Sequence, residues 1–495
     1  MIYHPEKLIN ELNQKAQKLR LDALEMIHRR GQGHPGGSLS IAEIIAGLFF
    51  HHLRINPDDP SWEERDRFIL SKGHACATLY AALARRGFFP VEELKTWGHL
   101  NSRLQGHPDR LKTPGVEMTT GFLGHGLCIG VGLCLAARLK GLNYHTYVLL
   151  GDGECQAGVL WEGAMTAGKY RLSNLTAIVD YNDVQLDGPV HNIMPLEPFA
   201  EKWRSFNFEV IEINGHNMRE VLDSLDMALE IHDRPQVIIA HTTKGKGVSL
   251  ASAGGRVMEK VSFREAFGKT LVEVGAKDPD VVVLVADVSS SVMTDYFAKR
   301  FPERFFNVGI QEAGMVDVAV GFALSGMVPF INTFAGLFLR TVEQIRTCVS
   351  YAKTNVKIVG GYAGVSDFKD GPTHHSIMDI AVMRSMPNFV VVAPADATEV
   401  KKILPLVAEH DGPVYMRISR AATPVVFDED HKVEIGKGVL IREGADVTLI
   451  GNGVMVYRCI EAAKILDREG ISCRVINIHT IKPLDVSLIR QAADC

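Results

Sequence analysis

The chain has 495 residues, of which 46% are hydrophobic, and its 53 Lys and Arg against 58 Asp and Glu give a formal net charge of −5. These values are typical of a globular protein and exclude a disordered or fibrous chain. No basic block predicts binding to nucleic acid, and no apolar run reaches the roughly 20 residues of a membrane span. The eight cysteines form no CxxC pair, which predicts free thiols in a reducing, cytoplasmic compartment.

Short apolar runs rich in β-branched residues alternate along the chain with helical patterns. The predicted buried strands are 145–150, 175–180, 237–242, 281–287, 356–361, 389–394 and 447–451. The predicted helices between them include 41–53, 315–326 and 455–470. Continuous apolar strands separated by helices predict an α/β fold of consecutive doubly wound domains, whose parallel sheets are covered on both faces.

The chain pattern changes at two places. Residues 249–257 are small and flexible in composition, and Met258 follows them like the start of a second chain. A third sheet pattern begins near 436, and it is short for a complete domain of about 100 residues. We therefore predict domains over 1–248 and 258–435, a linker or junction over 249–257, and a partial third domain over 436–495.

Two polar motifs follow predicted strands 145–150 and 175–180. The first contains Asp152 within GDGE, and the second contains Asn182, 30 positions further on. Open α/β sheets bind ligands at the carboxyl ends of their strands, and an aspartate with an asparagine supplies the hard oxygen ligands that Mg²⁺ prefers. The glycines beside Asp152 let the backbone approach a diphosphate closely. GDG alone is equally typical of a strand-to-helix turn, but the pair predicts a magnesium and diphosphate site.

The motif spacing resembles that of thiamin diphosphate enzymes, and the ordered motifs along nearly the whole chain resemble those of transketolases. These motifs include GQGHPGGSLS, DRFILSKGHA, LQGHP, GFLGHGL, GDGECQAGVLWE, GIQEAGM, NTFAGLFLR, KDGPTHH, ISRAAT and HTIKPLD. The resemblance is closest to transketolases of the split-gene type, which are made as separate amino- and carboxyl-terminal subunits. This likeness explains Met258 as the start of the carboxyl-terminal subunit. It implies a diphosphate-binding domain over 1–248, a pyrimidine-binding domain over 258–435, part of a C-terminal domain over 436–495, and a homodimer with active sites at the subunit interface.

The resemblance also assigns roles to individual residues. The implied ligands of Mg²⁺, or of Ca²⁺ in its place, are Asp152, Asn182 and the carbonyl of Val184. The implied contacts of thiamin diphosphate are His74, Gly121, Leu123, Gly153, Asn182, Lys244, Glu312 and Phe338. The implied catalytic residues are Glu312, which holds a proton beside the aminopyrimidine ring, and His34, His74, His107 and His374. The implied sugar phosphate contacts are His34, Arg264, Ser291, Arg340, Asp370 and Arg420.

The residues themselves leave simpler interpretations open. Lys244 lies in the lysine-rich TTKGKG segment, which is also typical of an exposed loop. Glu312 is equally typical of a glutamate favoured in the first turn of a helix by the dipole. Each of the arginines, taken singly, is equally typical of a surface residue.

Three positions depart from the family pattern. Leu337 stands where relatives have the ring-stacking phenylalanine, so we assign the stacking to Phe338 and place Phe334 in the core. Ala157 stands where most relatives have a glutamate that links the two active sites of the dimer. Tyr362 stands where the family has a phosphate-contacting histidine, which predicts altered phosphate affinity or acceptor choice.

The resemblance implies a transferase of the pentose phosphate pathway. It would move a two-carbon ketol unit from a ketose phosphate, such as xylulose 5-phosphate, to an aldose phosphate through the C2 carbanion of thiamin diphosphate. The alternatives are 1-deoxyxylulose-5-phosphate synthase, a split transketolase for unusual sugars, and a truncated cofactor-binding protein without turnover. His34, His107 and the 370–374 segment favour transketolase, and Tyr362 is consistent with an unusual sugar. In relatives, the loop after GKGVS carries a further histidine that touches the cofactor diphosphate and the substrate, and residues 249–257 contain no counterpart. Ala157 and this missing loop support the protein without turnover.

Overall fold

The computed structural model describes residues 3–248 and 262–493. The chain divides into two compact units, of which the first comprises Met1–Ala253 with Lys369–Thr373 and the second comprises Gly254–Phe368 with His374–Cys495. The predicted junction over 249–257 and the predicted start at Met258 lie outside the described residues. No helix in the described part of the chain is long and apolar enough to cross a membrane.

The first unit contains a five-stranded parallel sheet. Its strands are β1 (Arg67–Leu70), β2 (Thr146–Gly151), β3 (Leu175–Tyr181), β4 (Glu209–Asn214) and β5 (Gln236–His241). They lie in the order β1-β2-β3-β5-β4, and every pairing is parallel. The central strands β2, β3 and β5 match predicted strands, because both of their faces are covered and the middle of each strand is apolar. The edge strand β4 alternates buried and exposed residues, so a search for continuous apolar runs misses it.

Helices cover both faces of this sheet. They are α1 (Glu6–Arg30), α2 (Pro35–Leu39), α3 (Ala42–Gly47), α4 (Cys76–Arg86), α5 (Gly126–Lys140), α6 (Gly158–Tyr170), α7 (Val190–Ile193), α8 (Phe199–Ser205) and α9 (Met218–Leu229). One apolar core contains residues of α1, α3, α4 and α9, and the other contains residues of α5, α6 and α8. The predicted helix over 41–53 is α3 continued by a π-helical turn, Leu48–His52.

The second unit contains two sheets. Its strands are β6 (Val281–Val285), β7 (Phe305–Asn307), β8 (Val328–Phe334), β9 (Lys357–Gly361), β10 (Val390–Val392), β11 (Val414–Arg417), β12 (Val439–Arg442), β13 (Val447–Gly451), β14 (Cys473–Asn477) and β15 (Thr480–Lys482). The larger sheet has the order β15-β10-β11-β9-β8-β6-β7, parallel except for β15, which pairs antiparallel with β10. The smaller sheet, β12-β14-β13, is mixed. The predicted α/β class, with a smaller third sheet, is confirmed.

The helices of the second unit flank these sheets. They are α10 (Phe263–Lys277), α11 (Ser289–Val292), α12 (Asp295–Arg300), α13 (Glu312–Leu324), α14 (Val342–Gln344), α15 (Asp379–Ser385), α16 (Ala397–Glu409), α17 (Met455–Asp467) and α18 (Val486–Ala493). The predicted helices over 315–326 and 455–470 correspond to α13 and α17. Although β15 lies within the predicted third domain, it forms the edge of the larger sheet.

Candidate functional site

Asp152 and Asn182 meet at the carboxyl ends of β2 and β3. These strands pair in parallel with Gly151 opposite Asp180, so both motifs emerge at the same edge of the sheet. The buried Asp152 carboxylate accepts hydrogen bonds from the backbone N–H groups of Gly153 at 2.8 Å and of Asn182 at 2.9 Å. Burial, reinforced by the nearby Asp180 carboxylate, raises the pKa of Asp152 to about 6. The structure thus brings together the two residues that the sequence predicts as metal ligands, through the backbone N–H of Asn182.

The third predicted metal ligand already contacts a cation. Lys244 Nζ donates to the Val184 carbonyl at 2.7 Å and to the Gln185 carbonyl at 3.1 Å. Since an ammonium group lies on the Val184 oxygen, the electrostatics of this carbonyl suit a positive ion. One carboxylate, one amide oxygen and one carbonyl fit Mg²⁺, which keeps several waters and shares phosphate oxygens. Among residues 3–248 and 262–493, no group of three or more His, Cys, Asp or Glu side chains could hold a metal.

A fully buried ion pair lies beside these ligands. Lys72 Nζ donates to Asp180 Oδ2, and both side chains are almost completely enclosed. Asp180 also accepts from Ser40 Oγ at 2.7 Å and from Asn182 Nδ2 at 2.8 Å. Burial alone would raise the pKa of Asp180, but the Lys72 cation and the hydrogen bonds, including one from Thr242, lower it. The ionised carboxylate therefore orients the Asn182 amide.

Two glycines shape the space around His74 and Lys244. A Cβ on Gly37 would lie 2.8 Å from His74 Nε2, and one on Gly36 would lie 2.8 Å from Lys244 Cγ. Any larger residue would therefore displace one of these side chains. The glycines, the imidazole and the ammonium form a cradle that fits a diphosphate, because it combines close backbone approach with positive charge.

Three predicted histidines form a group in the first unit. The ring centre of His34 lies 5.4 Å from that of His74 and 6.2 Å from that of His107. Burial lowers the pKa of His74 well below its ordinary value, and removal of solvent also lowers the pKa of His34, against the opposing effect of Asp370. Both rings are therefore neutral near pH 7, and each can accept or donate a proton.

Asp370 and Gly121 lie close to this group. His107 Nδ1 lies 3.0 Å from the Asp370 carbonyl oxygen, and Gln32 Nε2 donates to Asp370 Oδ1 at 3.2 Å. A Cβ on Gly121 would lie 3.4 Å from His107 Cγ. Leu123 follows in the same loop, before α5. The segment Lys369–Thr373 belongs to the first unit, so Asp370 shares that unit with the histidines.

In the second unit, Glu312 begins α13 and is buried, with an exposed fraction of 3%. Arg340 Nη1 donates to Glu312 Oε2 at 3.1 Å. Burial raises the pKa of Glu312, and the Arg340 cation opposes that rise. The carboxyl group therefore holds a proton to higher pH than an exposed glutamate would. The structure pairs Arg340, predicted as a phosphate contact, with the predicted catalytic acid.

A second group in this unit, the arginine–tyrosine cluster, consists of Arg264, Ser291, Tyr362, Asp367 and Arg420. Arg264 Nη1 donates to the Tyr362 hydroxyl at 2.8 Å and to the Ser291 carbonyl at 2.6 Å. The guanidinium carbons of Arg264 and Arg420 each lie 5.0 Å from the Tyr362 ring centre, and Arg420 Nη1 donates to the buried Asp367 carboxylate. Arg264 thus contacts Ser291 directly and shares the Tyr362 ring with Arg420, and Arg420 also pairs with Asp367.

The aromatic assignment needs correction. Phe338 is fully buried in the apolar core beneath β6, β8 and β9, so its ring has no free face for a pyrimidine to stack on. Phe334, predicted to be core, is only partly buried. Its ring stacks on Tyr362 at 4.1 Å between centres and lies 6.2 Å from the ring of His374. The structure therefore exposes a neighbouring ring rather than the one that we predicted.

Sequence patterns missed Lys72, Glu154 and Asp367, which are all buried. Glu154 accepts hydrogen bonds from the backbone N–H groups of Gly124 at 2.7 Å and Gly151 at 3.1 Å, so it ties the 121–125 loop to the GDG turn. Lys72 and Glu154 stand inside motifs that already marked the family. A charged residue two or three positions after an apolar strand was the available signal for both.

Comparison with known proteins gives three consecutive family matches. The model described as transketolase, thiamine diphosphate binding domain, matches residues 12–261, the transketolase pyrimidine binding domain matches 259–425, and the transketolase C-terminal domain matches 436–495. The transketolase of Homo sapiens is 31% identical over 99% of this chain and 88% of its own length. The 6-deoxy-6-sulfo-D-fructose transketolase subunit SqwG of Clostridium sp. (strain MSTE9) is 43% identical over 53% of this chain and 95% of its own.

Among solved structures, the transketolase of Campylobacter jejuni is 26% identical, covers 96% of this chain and 89% of its own, and has a TM-score of 0.48. The family models together follow the order of the motifs in the chain. With these domains and with relatives at about 30% identity along its length, the chain is a transferase that belongs to the transketolase family.

Proposed function

We propose that the chain transfers a two-carbon ketol unit from a ketose phosphate to an aldose phosphate in the pentose phosphate pathway, with thiamin diphosphate and Mg²⁺. The observation that carries this proposal is the buried Glu312 carboxyl, whose raised pKa suits it to hold a proton against the aminopyrimidine. Thiamin diphosphate, when bound, supplies a C2 carbanion that acts as an electron sink.

The first unit supplies the residues that would hold the diphosphate and the metal. Asp152, Asn182 and the Val184 carbonyl would bind Mg²⁺, and Lys244 would move from that carbonyl toward the diphosphate. The remaining contacts would come from residues of the cradle and its loop. These are His74, Gly121, Leu123 and Gly153.

The histidines would bind the sugar and move its protons. His34 and His74 are neutral near pH 7, so either can take the proton from the donor hydroxyl that becomes the aldehyde of the leaving aldose. The same ring can then give a proton to the aldehyde oxygen of the acceptor, which becomes a hydroxyl when the new C–C bond forms. His107 and Asp370 would fix the first hydroxyl groups of the sugar, and the family resemblance assigns a catalytic role to His374. The family resemblance supports the roles of these histidines, and the grouping of His34, His74 and His107 supports the roles of these three.

A homodimer and a cytoplasmic location are part of this proposal. Apart from Glu312 and Asp317, every residue of α13 is apolar or glycine, yet Val318 is 47% exposed and Leu324 is 75% exposed. A helix that is apolar all round is normally buried on all sides, which supports a second subunit packed on this face. The described cysteines are free thiols, which supports a reducing compartment. The domain boundaries at 248, 258 and 436 are also part of this proposal.

Calorimetry and a coupled assay test the proposed function. We expect thiamin diphosphate to bind in the presence of Mg²⁺ or Ca²⁺, and the loaded dimer to convert xylulose 5-phosphate and an aldose phosphate. Asp152→Asn should weaken Mg²⁺ binding, whereas Asp278→Asn in the second unit should not. Cofactor binding without any ketol transfer would favour the cofactor-binding protein, and pyruvate-dependent turnover would favour the 1-deoxyxylulose-5-phosphate synthase.

A transketolase for an unusual sugar is the second candidate. The relative from Clostridium is named for a sulfonated ketose, and Tyr362 occupies a position where the resemblance predicts a phosphate-contacting histidine. The ketol chemistry is the same for both candidates, so only the far end of the sugar distinguishes them.

A further inference from the structure

The arginine–tyrosine cluster carries little net charge. Two guanidinium groups and the carboxylate of Asp367 leave it with one formal positive charge. A phosphate monoester carries a charge of about −1.5 to −2 at pH 7, whereas a sulfonate carries a single negative charge. The cluster therefore neutralises a monoanion fully and a dianion only in part.

The carboxylate of Asp367 is held in place by the fold. Arg420 pairs with it through Nη1, and the Arg420 backbone N–H donates to Ser366 Oγ at 3.1 Å. The Ser366 hydroxyl in turn donates to the Ala363 carbonyl, and the Ala363 N–H donates to the Ile418 carbonyl at 3.1 Å. These bonds tie the segment 363–367 to the segment 418–420. The Asp367 carboxylate therefore stays beside Arg420 and offsets its positive charge when the cluster binds an anion.

Tyr362 adds a neutral donor at the position of a titratable histidine. Its backbone φ is +56°, an uncommon value for a bulky residue and one that the surrounding structure must enforce. Phe334 stacks on the Tyr362 ring. The Tyr362 hydroxyl oxygen accepts a hydrogen bond from Arg264, so the hydroxyl hydrogen is available to an anion. This arrangement adds a hydrogen bond to an anion without adding a charge.

Arg264 has a donor that the described protein does not satisfy. Its Nε is buried and has no hydrogen-bond partner among the described residues. A buried donor without an acceptor costs about 1–3 kcal/mol, and a ligand oxygen would remove that cost. Arg264 Nε thus adds an unsatisfied donor to a cluster that also holds the Tyr362 hydroxyl.

From these charges and donors, we propose that the arginine–tyrosine cluster selects sugars with a sulfonate at the far end over sugars with a phosphate. Tyr362 contacts the sulfonate, and Asp367 acts through Arg420 as a positioning residue that disfavours the dianion. The proposal rests on the ketol transfer of the proposed function and favours its second candidate, a transketolase for an unusual sugar, over a phosphate-selective enzyme.

The wild-type holoenzyme provides the first test. Two ketohexose donors that differ only in a C6 sulfonate or a C6 phosphate are compared with one aldose acceptor. We expect kcat/KM at pH 8 to favour the sulfonate by about tenfold, mainly through KM. Because the phosphate becomes a monoanion near pH 6, its kcat/KM relative to the sulfonate should rise by about tenfold between pH 8 and pH 5.5.

Two variants identify the residues that select the tail. Asp367→Asn and Tyr362→His should each shift the ratio of the two kcat/KM values toward phosphate by about tenfold at pH 8, mainly through KM. Asp430→Asn is the matched control, since Asp430 is exposed and outside the cluster. Tyr362→His preserves the carboxylate, so it tests the proposal even where Asp367→Asn does not fold.

The outcomes separate this proposal from the proposed function. Turnover that favours phosphate at pH 8, or variants whose tail preference matches the wild type, would overturn the sulfonate selection and leave ketol transfer intact. Absence of turnover with both donors in the cofactor-loaded dimer would overturn the proposed function, and the selection with it.

Discussion

Arg340 Nη1 donates to Glu312 Oε2 at 3.1 Å inside the second unit. The pair sets two opposing effects on one carboxyl group, since burial raises the pKa of Glu312 and the guanidinium lowers it. A carboxyl group with a raised pKa holds its proton to higher pH than an exposed one and can still release it. The charge of Arg340 thus limits how far the pKa of Glu312, the proposed acid, is raised.

Glu312→Gln should separate cofactor binding from turnover. The amide keeps the shape of the side chain but cannot exchange the proton, so we expect kcat to fall by roughly 10²–10⁴ while thiamin diphosphate still binds. Calorimetry and steady-state kinetics measure the two effects. Glu273→Gln, at an exposed position of α10, is the control. A Glu312→Gln enzyme with ordinary kcat would exclude Glu312 as the acid.

Arg340→Gln should move the alkaline limb of the kcat profile. Removing the cation removes the effect that lowers the pKa of Glu312, so that pKa rises further and the carboxyl stays protonated at higher pH. At saturating substrate, the limb should move upward by about one pH unit. Arg340→Lys retains the charge and should retain the wild-type limb. An unmoved limb with a raised KM would show that Arg340 acts only on the substrate.

Lys72→Met should destabilise the first unit. The variant leaves the Asp180 carboxylate buried without its cation, a change that typically costs about 3–5 kcal/mol. We expect the thermal midpoint of the first unit without cofactor to fall by roughly 10 °C. Adding Asp180→Asn should recover most of the loss, because no uncompensated charge then remains.

Lys269→Met is the matched control for this pair. Lys269 forms an ion pair with Glu265 on the exposed surface of α10, where such pairs contribute about 0–1 kcal/mol. Calorimetric scans of the four proteins measure the midpoints. Equal effects of Lys72→Met and Lys269→Met would contradict a special role for the buried pair.

The sequence predicted contacts well only where the interacting residues lie close together along the chain or at the ends of predicted strands. Strands β2, β3 and β5 were predictable because both of their faces are buried, and Asp152 and Asn182 followed from the ends of two of those strands. The Lys72–Asp180 pair joins residues 108 positions apart, and the Arg420–Asp367 pair joins residues 53 positions apart. Such contacts depend on strand order and loop packing, which local patterns do not encode.

The same limit applies to the carboxyl-terminal segment. The partial third domain over 436–495 stays a prediction, and within it β15 pairs with β10 at the edge of the larger sheet. A three-residue antiparallel edge strand contains no apolar run from which it could be predicted. Its position is set by tertiary contacts that join β14 and β15 to the rest of the unit.

One of those contacts gives the last prediction. Asn477 in β14 donates through Nδ2 to Glu399 Oε1 of α16 at 2.7 Å, and both side chains are fully buried. Asn477→Leu leaves the carboxylate without this donor, which should cost about 1–3 kcal/mol and lower the thermal midpoint of the second unit by several degrees. Turnover should persist, because every proposed site residue precedes position 421. The exposed Gln491→Leu is the control, and loss of turnover in a folded Asn477→Leu enzyme would place this segment in the chemistry.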